Sequence, residues 1–228
     1  MTPLRDDQRL IAEWITPGSR VLDLGCGDGT LLAHLRDRLG VVGYGVEIAP
    51  DNLVRCIAAG IPVLQSDLDR GLSDFEADAF DHVVMTQTLQ AVRYPDLLLR
   101  EMLRVGREGI VTFPNMGHWR SRLQLLAGRM PCNRILPYRW YDTPNIHLCT
   151  FADFEDLCAE MGIRILDRAT VDRSHKTHLS MGLLPTLFGE IALYRLARAP
   201  GSLSPPPDAA AAPPAMAVPA DPDPDPAV

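Results

Sequence analysis

The sequence has little that would suit a secreted or membrane-spanning protein. No stretch of its 228 residues approaches the roughly 18 consecutive apolar side chains that a transmembrane helix needs. The N-terminal run MTPLRDDQR has no apolar segment of the kind found in a secretory signal. The five cysteines are an odd number and form no CxxC pair, so we expect reduced thiols rather than a disulfide framework or a zinc site. These absences predict a cytoplasmic protein with no membrane anchor and no bound metal.

Lysine is almost missing, and basic residues are outnumbered by acidic ones. Lys176 is the single lysine, and 29 acidic residues against 22 basic ones give a net charge of −7. Generic nucleic-acid binding needs many basic side chains to neutralise phosphates. A nucleic acid is therefore not the expected partner.

Prolines and aspartates are concentrated in residues 200–228. This tail contains 10 of the chain's 20 prolines, four aspartates and no lysine or arginine, and it includes the repeat DPDPDP. Proline has no amide hydrogen, and the tail offers few large apolar side chains for a core. We expect a disordered or extended tail that follows a folded domain of residues 1–199.

Strand-like and helix-like runs alternate through the folded domain. Apolar strands that take turns with amphipathic helices indicate a mostly parallel sheet covered by helices on both faces. The predicted fold class is therefore α/β, with seven strands. The predicted strands cover residues 20–25, 42–48, 61–65, 80–86, 109–113, 163–171 and 190–197, and the predicted helices lie near 31–39, 50–59, 95–104 and 151–161.

An insertion of residues 115–149 interrupts this alternation. Regular structure is expected to resume at Thr150, a suitable N-cap with Asp153 at the third helical position. Gly162 suits the end of that helix, because a helix often ends on a glycine with left-handed backbone angles.

The first predicted strand leads into a glycine-rich turn, VLDLGCGDGTLL (residues 21–32). Glycine permits unusual backbone angles and lets a ligand approach the main chain closely. The amides at the start of the following helix favour a negative group. Glu47 ends the second strand, where a carboxylate can accept both hydroxyls of a ribose. The pattern predicts a nucleotide site at the carboxyl ends of the strands.

The identity of that nucleotide is decided by charge and spacing. A dinucleotide fingerprint would need glycine at position 30, which is Thr30, and Asp28 would face a pyrophosphate with like charge. At about 4 Å and an effective dielectric constant of roughly 20, that repulsion is on the order of 4 kcal/mol. S-adenosylmethionine carries a sulfonium, an ammonium and a single carboxylate, so its ammonium can meet Asp23. A nicotinamide-dependent oxidoreductase is accordingly disfavoured.

The motifs DLGCGDG and GVEI resemble the nucleotide half of class I S-adenosylmethionine-dependent methyltransferases. The resemblance implies that Asp23 holds the methionine moiety, Glu47 the ribose and Asp67 the adenine amine. The candidate cofactor is S-adenosylmethionine or S-adenosylhomocysteine, with no metal. The remaining implied cofactor-binding residues are the loop glycines and neighbouring backbone or packing contacts: Gly25, Cys26, Gly27, Gly29, Ile48 and Leu68.

The turn after the fourth strand lacks a candidate base for methyl transfer. Many small-molecule methyltransferases carry a Leu-Glu-His-like run there, but this chain has Leu-Gln-Ala-Val from Leu89 to Val92. Asp81 and His82 lie inside the strand, and we expect His82 to be a packed histidine. The missing base weakens the case for methyl transfer. It does not exclude it, because an acceptor with a low pKa would need no base. No catalytic residue is assigned.

The insertion is rich in arginine and aromatic residues. No acid occurs between Gly109 and Tyr141. Trp, Tyr and Arg are enriched at protein interfaces, so the segment suits a docking surface. A lid over the cleft is an equal alternative, and an anionic-substrate or nucleic-acid surface a lesser one. The residues concerned are Trp119, Arg120, Arg122, Arg129, Arg134, Tyr138, Arg139, Trp140 and Tyr141.

The insertion also carries a second, more specific resemblance. The runs FPNMGHWRSRLQLL, LPYRWYDTPNIHLCT and DFEDLC are similar to the MetW family of methionine-biosynthesis proteins, over nearly all of residues 1–199. The resemblance implies a role beside homoserine O-acyltransferase of the MetX type. We therefore expect an accessory protein that docks on this enzyme through residues 115–149 and supports acyl transfer. The alternative is an active S-adenosylmethionine-dependent methyltransferase with a small-molecule substrate.

Overall fold

The computed structural model describes residues 3–133, 136–171 and 185–199. The expectation of a disordered or extended tail concerns residues 200–228, which lie outside the described residues, and so does Arg134 of the insertion.

One seven-stranded sheet forms the centre of the molecule, in the order β3-β2-β1-β4-β5-β7-β6. Strands β1 to β5 pair in parallel, and β7 runs antiparallel to both of its neighbours. The chain moves outward from β1 to β3 and then returns to the other side of β1 at β4, so the carboxyl ends of β1 and β4 flank a crevice of the kind that binds ligands in open α/β sheets. The strands are β1 Arg20–Leu24, β2 Val42–Glu47, β3 Val63–Gln65, β4 Phe80–Thr86, β5 Gly106–Pro114, β6 Ile163–Val171 and β7 Ile191–Arg198.

All seven predicted strands are present, so the predicted α/β sheet is confirmed. Three helices were not predicted, one before β1, one inside the insertion and a short one before β7, and β5 begins three residues earlier than expected. The helices are α1 Asp6–Trp14, α2 Thr30–Leu39, α3 Pro50–Ala58, α4 Pro95–Val105, α5 Trp119–Leu126, α6 Phe151–Glu160 and the short α7 Pro185–Phe188.

Two hydrophobic clusters cover the two faces of the sheet. Side chains alternate between faces along a strand, so Val21 of β1 joins one cluster while Leu22 and Leu24 join the other. The Val21 cluster contains side chains of α1, α2 and α3, and the Leu22 cluster contains side chains of α4 and α6. The helices thus lie on both faces, as the sequence predicts.

The start and end of α6 confirm the local prediction. The Thr150 hydroxyl accepts the Asp153 amide at 3.3 Å, and the Asp153 carboxylate accepts the Thr150 amide at 2.8 Å. Gly162, just beyond the helix, has a φ of +64°. The described residues contain neither a helix long and apolar enough to cross a membrane nor a group of three or more side chains that could hold a metal ion.

Candidate functional site

The glycine loop between β1 and α2 adopts backbone angles that suit glycine. Gly25, Gly27 and Gly29 all have positive φ angles, of 74°, 59° and 76°. A Cβ at Gly25 would lie 2.5 Å from the Thr88 hydroxyl oxygen, so packing also demands glycine there. A Cβ at Gly27 would have no atom within 4 Å, so this part of the loop has open space around it.

The loop amides are already bound by the protein's own acceptors. The amides of Gly25 and Cys26 donate to the Val46 carbonyl, at 2.8 and 3.1 Å. The Thr30 amide, at the start of α2, donates to the Asp28 carboxylate at 3.1 Å. The Asp28 carboxylate thus binds one amide of the first turn of α2, so that amide is not free for a ligand.

Glu47 ties the glycine loop to β2 and α3. One carboxylate oxygen accepts the amides of Ile48 and Ala49, both at 2.8 Å. The other accepts the Gly27 amide at 2.8 Å and the Asn52 side-chain amide at 3.3 Å. Glu47 is 8% exposed, and ribose hydroxyls would have to replace one of these donors, of which Asn52 is the most distant.

Asp23 is a buried acid with an unused oxygen. The residue is 1% exposed, and its Oδ1 has no hydrogen-bond partner among the described residues. Burial raises the pKa of this carboxyl to about 7, the nearby Arg5 lowers it in part, and the Glu47 carboxylate raises it. A buried, unpartnered carboxylate is costly, and a ligand cation would relieve that cost.

Helix α1 contributes polar groups that the sequence did not reveal. Asp7 is 1% exposed, binds the Arg5 guanidinium at 3.1 Å and accepts the Gln87 side-chain amide at 3.1 Å. Gln87 follows β4 and has a φ of +52°, an uncommon angle for a residue other than glycine. These contacts join the N-terminal helix to the turn after β4, and no local sequence pattern predicts a contact between residues so distant along the chain.

The remaining predicted site residues differ in their contacts and in their exposure to solvent. Asp67 follows β3 and accepts the Asp69 amide at 3.0 Å, and Leu68 packs against the core cluster that contains Leu22. The Cys26 sulfur points away from solvent and lies 3.7 Å from that of Cys56. Ile48 is 57% exposed. The structure thus brings Asp23, Glu47 and the glycines together, and it records no hydrogen bond from Asp67 to that group within the described residues.

The turn after β4 lacks titratable groups, as expected from residues 86–92. Its Gln90 is 8% exposed and has a side-chain oxygen without a partner among the described residues. His82 is 3% exposed, and its Nε2 accepts the Thr16 amide. Its Nδ1 lies 3.3 Å from a carboxylate oxygen of Glu108, and burial lowers the pKa of the ring. His82 is therefore a packed histidine, as predicted.

A family model described as "Methionine biosynthesis protein MetW" matches residues 5–196. The chain belongs to the MetW family. A bifunctional methionine biosynthesis protein MetXA/MetW from Rhodopirellula baltica is 42% identical over 172 residues, which cover 71% of this chain and 28% of that protein. A ubiquinone biosynthesis O-methyltransferase from Hahella chejuensis is 33% identical over 42% of each chain. The MetW-family chain thus spans less than half the length of these curated relatives.

Solved structures establish the fold of this MetW-family chain. An S-adenosylmethionine-dependent methyltransferase from Mesorhizobium loti has a TM-score of 0.61 at 20% identity, covering 84% of this chain and 98% of that chain. The [4+2]-cyclase SpnF has a TM-score of 0.59 at 18% identity, covering 84% and 80%. The fold is therefore the class I methyltransferase fold, and since a cyclase shares it, the fold alone does not decide the chemistry.

The MetW insertion meets the site at the turn after β4. The Gln90 carbonyl accepts the amides of Ile146 and His147, at 2.9 and 3.0 Å. Helix α5 fills the first part of the insertion and begins after His118, whose ring nitrogen accepts the Arg120 amide. The insertion is thus attached directly to the edge of the crevice.

More than half of the exposed large hydrophobic side chains among the described residues lie on this insertion. Of 18 large hydrophobic side chains that are exposed among the described residues, 10 belong to residues 115–149. Trp140 is 75% exposed and Tyr141 is 61% exposed. The Arg120 guanidinium lies 5.3 Å from the Trp119 ring centre. Aromatic and arginine side chains together on one surface are typical of protein interfaces.

Proposed function

We propose that this protein is an accessory protein of methionine biosynthesis that binds a homoserine O-acyltransferase through residues 115–149 and supports acyl transfer. The observation that carries the proposal is the bifunctional relative from Rhodopirellula baltica, whose name combines MetXA and MetW in one protein. The exposed aromatic and arginine side chains of the insertion supply a surface suited to such a partner. The proposed location is the cytoplasm, in keeping with five cysteines that are all free thiols.

The crevice of this accessory protein is proposed to hold S-adenosylmethionine or S-adenosylhomocysteine. The unpartnered Asp23 oxygen fits the ammonium of either compound, and the open space at Gly27 leaves room beside the loop. Glu47 fits the ribose if the Asn52 amide gives way. Asp67 remains the candidate for the adenine amine. S-adenosylmethionine, when bound, supplies an electrophilic methyl group.

The residues of the crevice favour a binding role over methyl transfer. Proton removal from an acceptor needs a base within hydrogen-bonding reach, and the turn from Thr86 to Val92 offers only amide and hydroxyl groups. The second candidate is a methyltransferase with an acidic small-molecule acceptor. It is favoured by the 33% identity to a ubiquinone biosynthesis O-methyltransferase over 101 residues.

The docking proposal is tested with purified homoserine O-acyltransferase from the same organism. Wild-type protein should co-elute with the enzyme in gel filtration and raise its turnover of homoserine. The double variant Trp140→Ala/Tyr141→Ala should lose both effects, because it removes the most exposed aromatic pair of the insertion. The matched control is Val54→Ala/Ile57→Ala on α3, where the side chains are similarly exposed at 67% and 68%. This variant should co-elute with the enzyme and raise its turnover as the wild type does.

Unchanged enzyme turnover with wild-type protein, at concentrations where both proteins are folded, would contradict the accessory role. The same mixtures can be assayed for S-adenosylhomocysteine after addition of small-molecule acceptors. Its release without any association would favour the methyltransferase alternative instead.

A further inference from the structure

A groove of about 500 Å³ lies within the insertion, away from the crevice. Four large apolar or aromatic side chains line it, together with two arginines. Among the described residues neither arginine forms a salt bridge, although both are exposed. The apolar members are Met130, Tyr138, Trp140 and Tyr141, and the arginines are Arg129 and Arg139.

The aromatic wall of this groove is held by its own contacts. The Trp140 and Tyr141 rings lie 5.6 Å apart at an angle of 90°. The Arg139 guanidinium donates to the Tyr141 hydroxyl at 2.8 Å and lies 6.0 Å from its ring centre. The groove therefore presents fixed aromatic edges beside positive charge, which suits a ligand that is both acidic and rigid.

The same chain contains a segment with those properties. Residues 221–226 read DPDPDP, and residues 200–228 contain four aspartates and no basic residue. Proline fixes φ near −65°, so alternating prolines favour the polyproline II conformation at a low entropy cost. Aromatic-lined grooves recognise such segments, and arginine pairs with carboxylates.

The connecting chain is long enough for an intramolecular contact. The last residues of β7 lie at the end of β5 that is opposite the insertion, since Pro114 pairs with Ile191 and Glu108 with Ala197. At about 3.3 Å per residue, the strand spans roughly 25 Å. About 20 residues separate Ala199 from Asp221, and a proline-rich chain of that length, at about 3.1 Å per residue, reaches up to roughly 60 Å.

We propose that residues 221–226 bind the groove between Arg129 and Tyr141 of the same chain and shield it from other partners. Carboxylates of the repeat pair with Arg129 and Arg139, and its prolines pack on Trp140 and Tyr141. If the proposed function holds, the segment competes with the acyltransferase for this surface. The contact itself does not depend on the acyltransferase.

Cys132 provides a built-in probe for this contact in the full chain. It lines the groove and is exposed, whereas the other four cysteines are buried or half-buried. The experiment measures its alkylation rate with neutral iodoacetamide by peptide mass spectrometry. The tail variant is Asp221→Asn/Asp223→Asn/Asp225→Asn.

The tail variant should be alkylated about fourfold faster at Cys132 than the wild type. Because the tail is tethered, its effective concentration at the groove is about 1 mM. With a dissociation constant of about 0.3 mM for this contact, roughly a quarter of the grooves are open in the wild type, whereas all are open in the tail variant. The control Asp51→Asn/Asp74→Asn/Glu76→Gln removes the same charge from exposed positions elsewhere and should react like the wild type. In the variant Arg129→Gln/Arg139→Gln, adding the three tail changes should have no further effect, since the charges no longer pair.

Equal alkylation rates in the wild type and the tail variant would overturn the proposal. Protection that rises with protein concentration would also overturn it, because the segment would then come from a second copy. No acyltransferase is present in this assay, so its failure leaves the docking proposal intact. Conversely, a failure of docking leaves the Cys132 result standing.

Discussion

The buried carboxylate of Asp23 should make stability depend on pH. In the unfolded chain an aspartate titrates near 3.8, whereas burial raises the pKa of Asp23 to about 7 in the folded protein. Between these values the folded protein holds a proton that the unfolded chain has lost, so its free energy of unfolding falls as the pH rises. The whole pKa difference between the folded and unfolded states would lower the free energy of unfolding by at most about 4 kcal/mol.

Asp23→Asn removes this titration while it keeps the shape of the side chain. The variant should gain stability relative to the wild type as the pH rises from about 4 to 7, and the gain should level off above that range. Urea unfolding at several pH values measures it, with the exposed Asp74→Asn as the control. A difference that is the same at pH 5 and pH 8 would rule out the buried charge as its cause.

Some features of the crevice can be predicted from residues that are neighbours in the sequence, and others depend on contacts between distant residues. The positive φ angles of Gly25, Gly27 and Gly29 and the placement of Asp23 and Glu47 follow from a strand, a turn and a helix in sequence. The contact between Asp7 and Gln87 joins residues 80 positions apart, so it required the tertiary structure. The bond from the Thr30 amide to Asp28 is local, since an aspartate often accepts the amide two residues further along the chain.

Among the secondary-structure elements, α6 offers the cleanest test of a local prediction. Thr150→Ala removes the hydroxyl that accepts the Asp153 amide, and the protein should lose about 1 kcal/mol of unfolding free energy. Thr150→Ser keeps the hydroxyl and should stay close to the wild type. Chemical denaturation compares the three proteins, and equal losses in both variants would point to packing of the threonine methyl group instead.

Strands were easier to predict than helices in this chain. Most strands are apolar runs bounded by glycine, proline or charge. The inner strands β1, β4, β5 and β7 are mostly buried, whereas the edge strands β3 and β6 are largely half-buried or exposed. Helix α1 begins with Asp6 and Asp7, and two of its three buried residues, Asp7 and Gln8, are polar, so a search for apolar residues at helical spacing passes over it. Helix α5 has a single buried side chain, Ser121, and its exposed leucines give no amphipathic pattern facing the core.

On the scale of the whole molecule, charge is distributed unevenly. The chain carries a net charge of −7, yet residues 109–141 contain arginines and no acid. A positive surface on a negative protein orients it toward an acidic partner during approach. Apolar side chains on the same surface would act only after contact, when water is excluded.

This separation predicts different kinetic effects for the two kinds of side chain. Arg120→Gln should slow association with the acyltransferase about threefold at low salt, with little change in dissociation. Trp140→Ala should lose about 2 kcal/mol and speed dissociation about 30-fold, because most interface substitutions act on the dissociation rate. Arg55→Gln and Val54→Ala on α3 serve as charge and apolar controls in surface plasmon resonance. If added salt left the wild-type association rate unchanged, the arginines of the insertion would have no part in steering, and the surface would bind through its aromatic side chains alone.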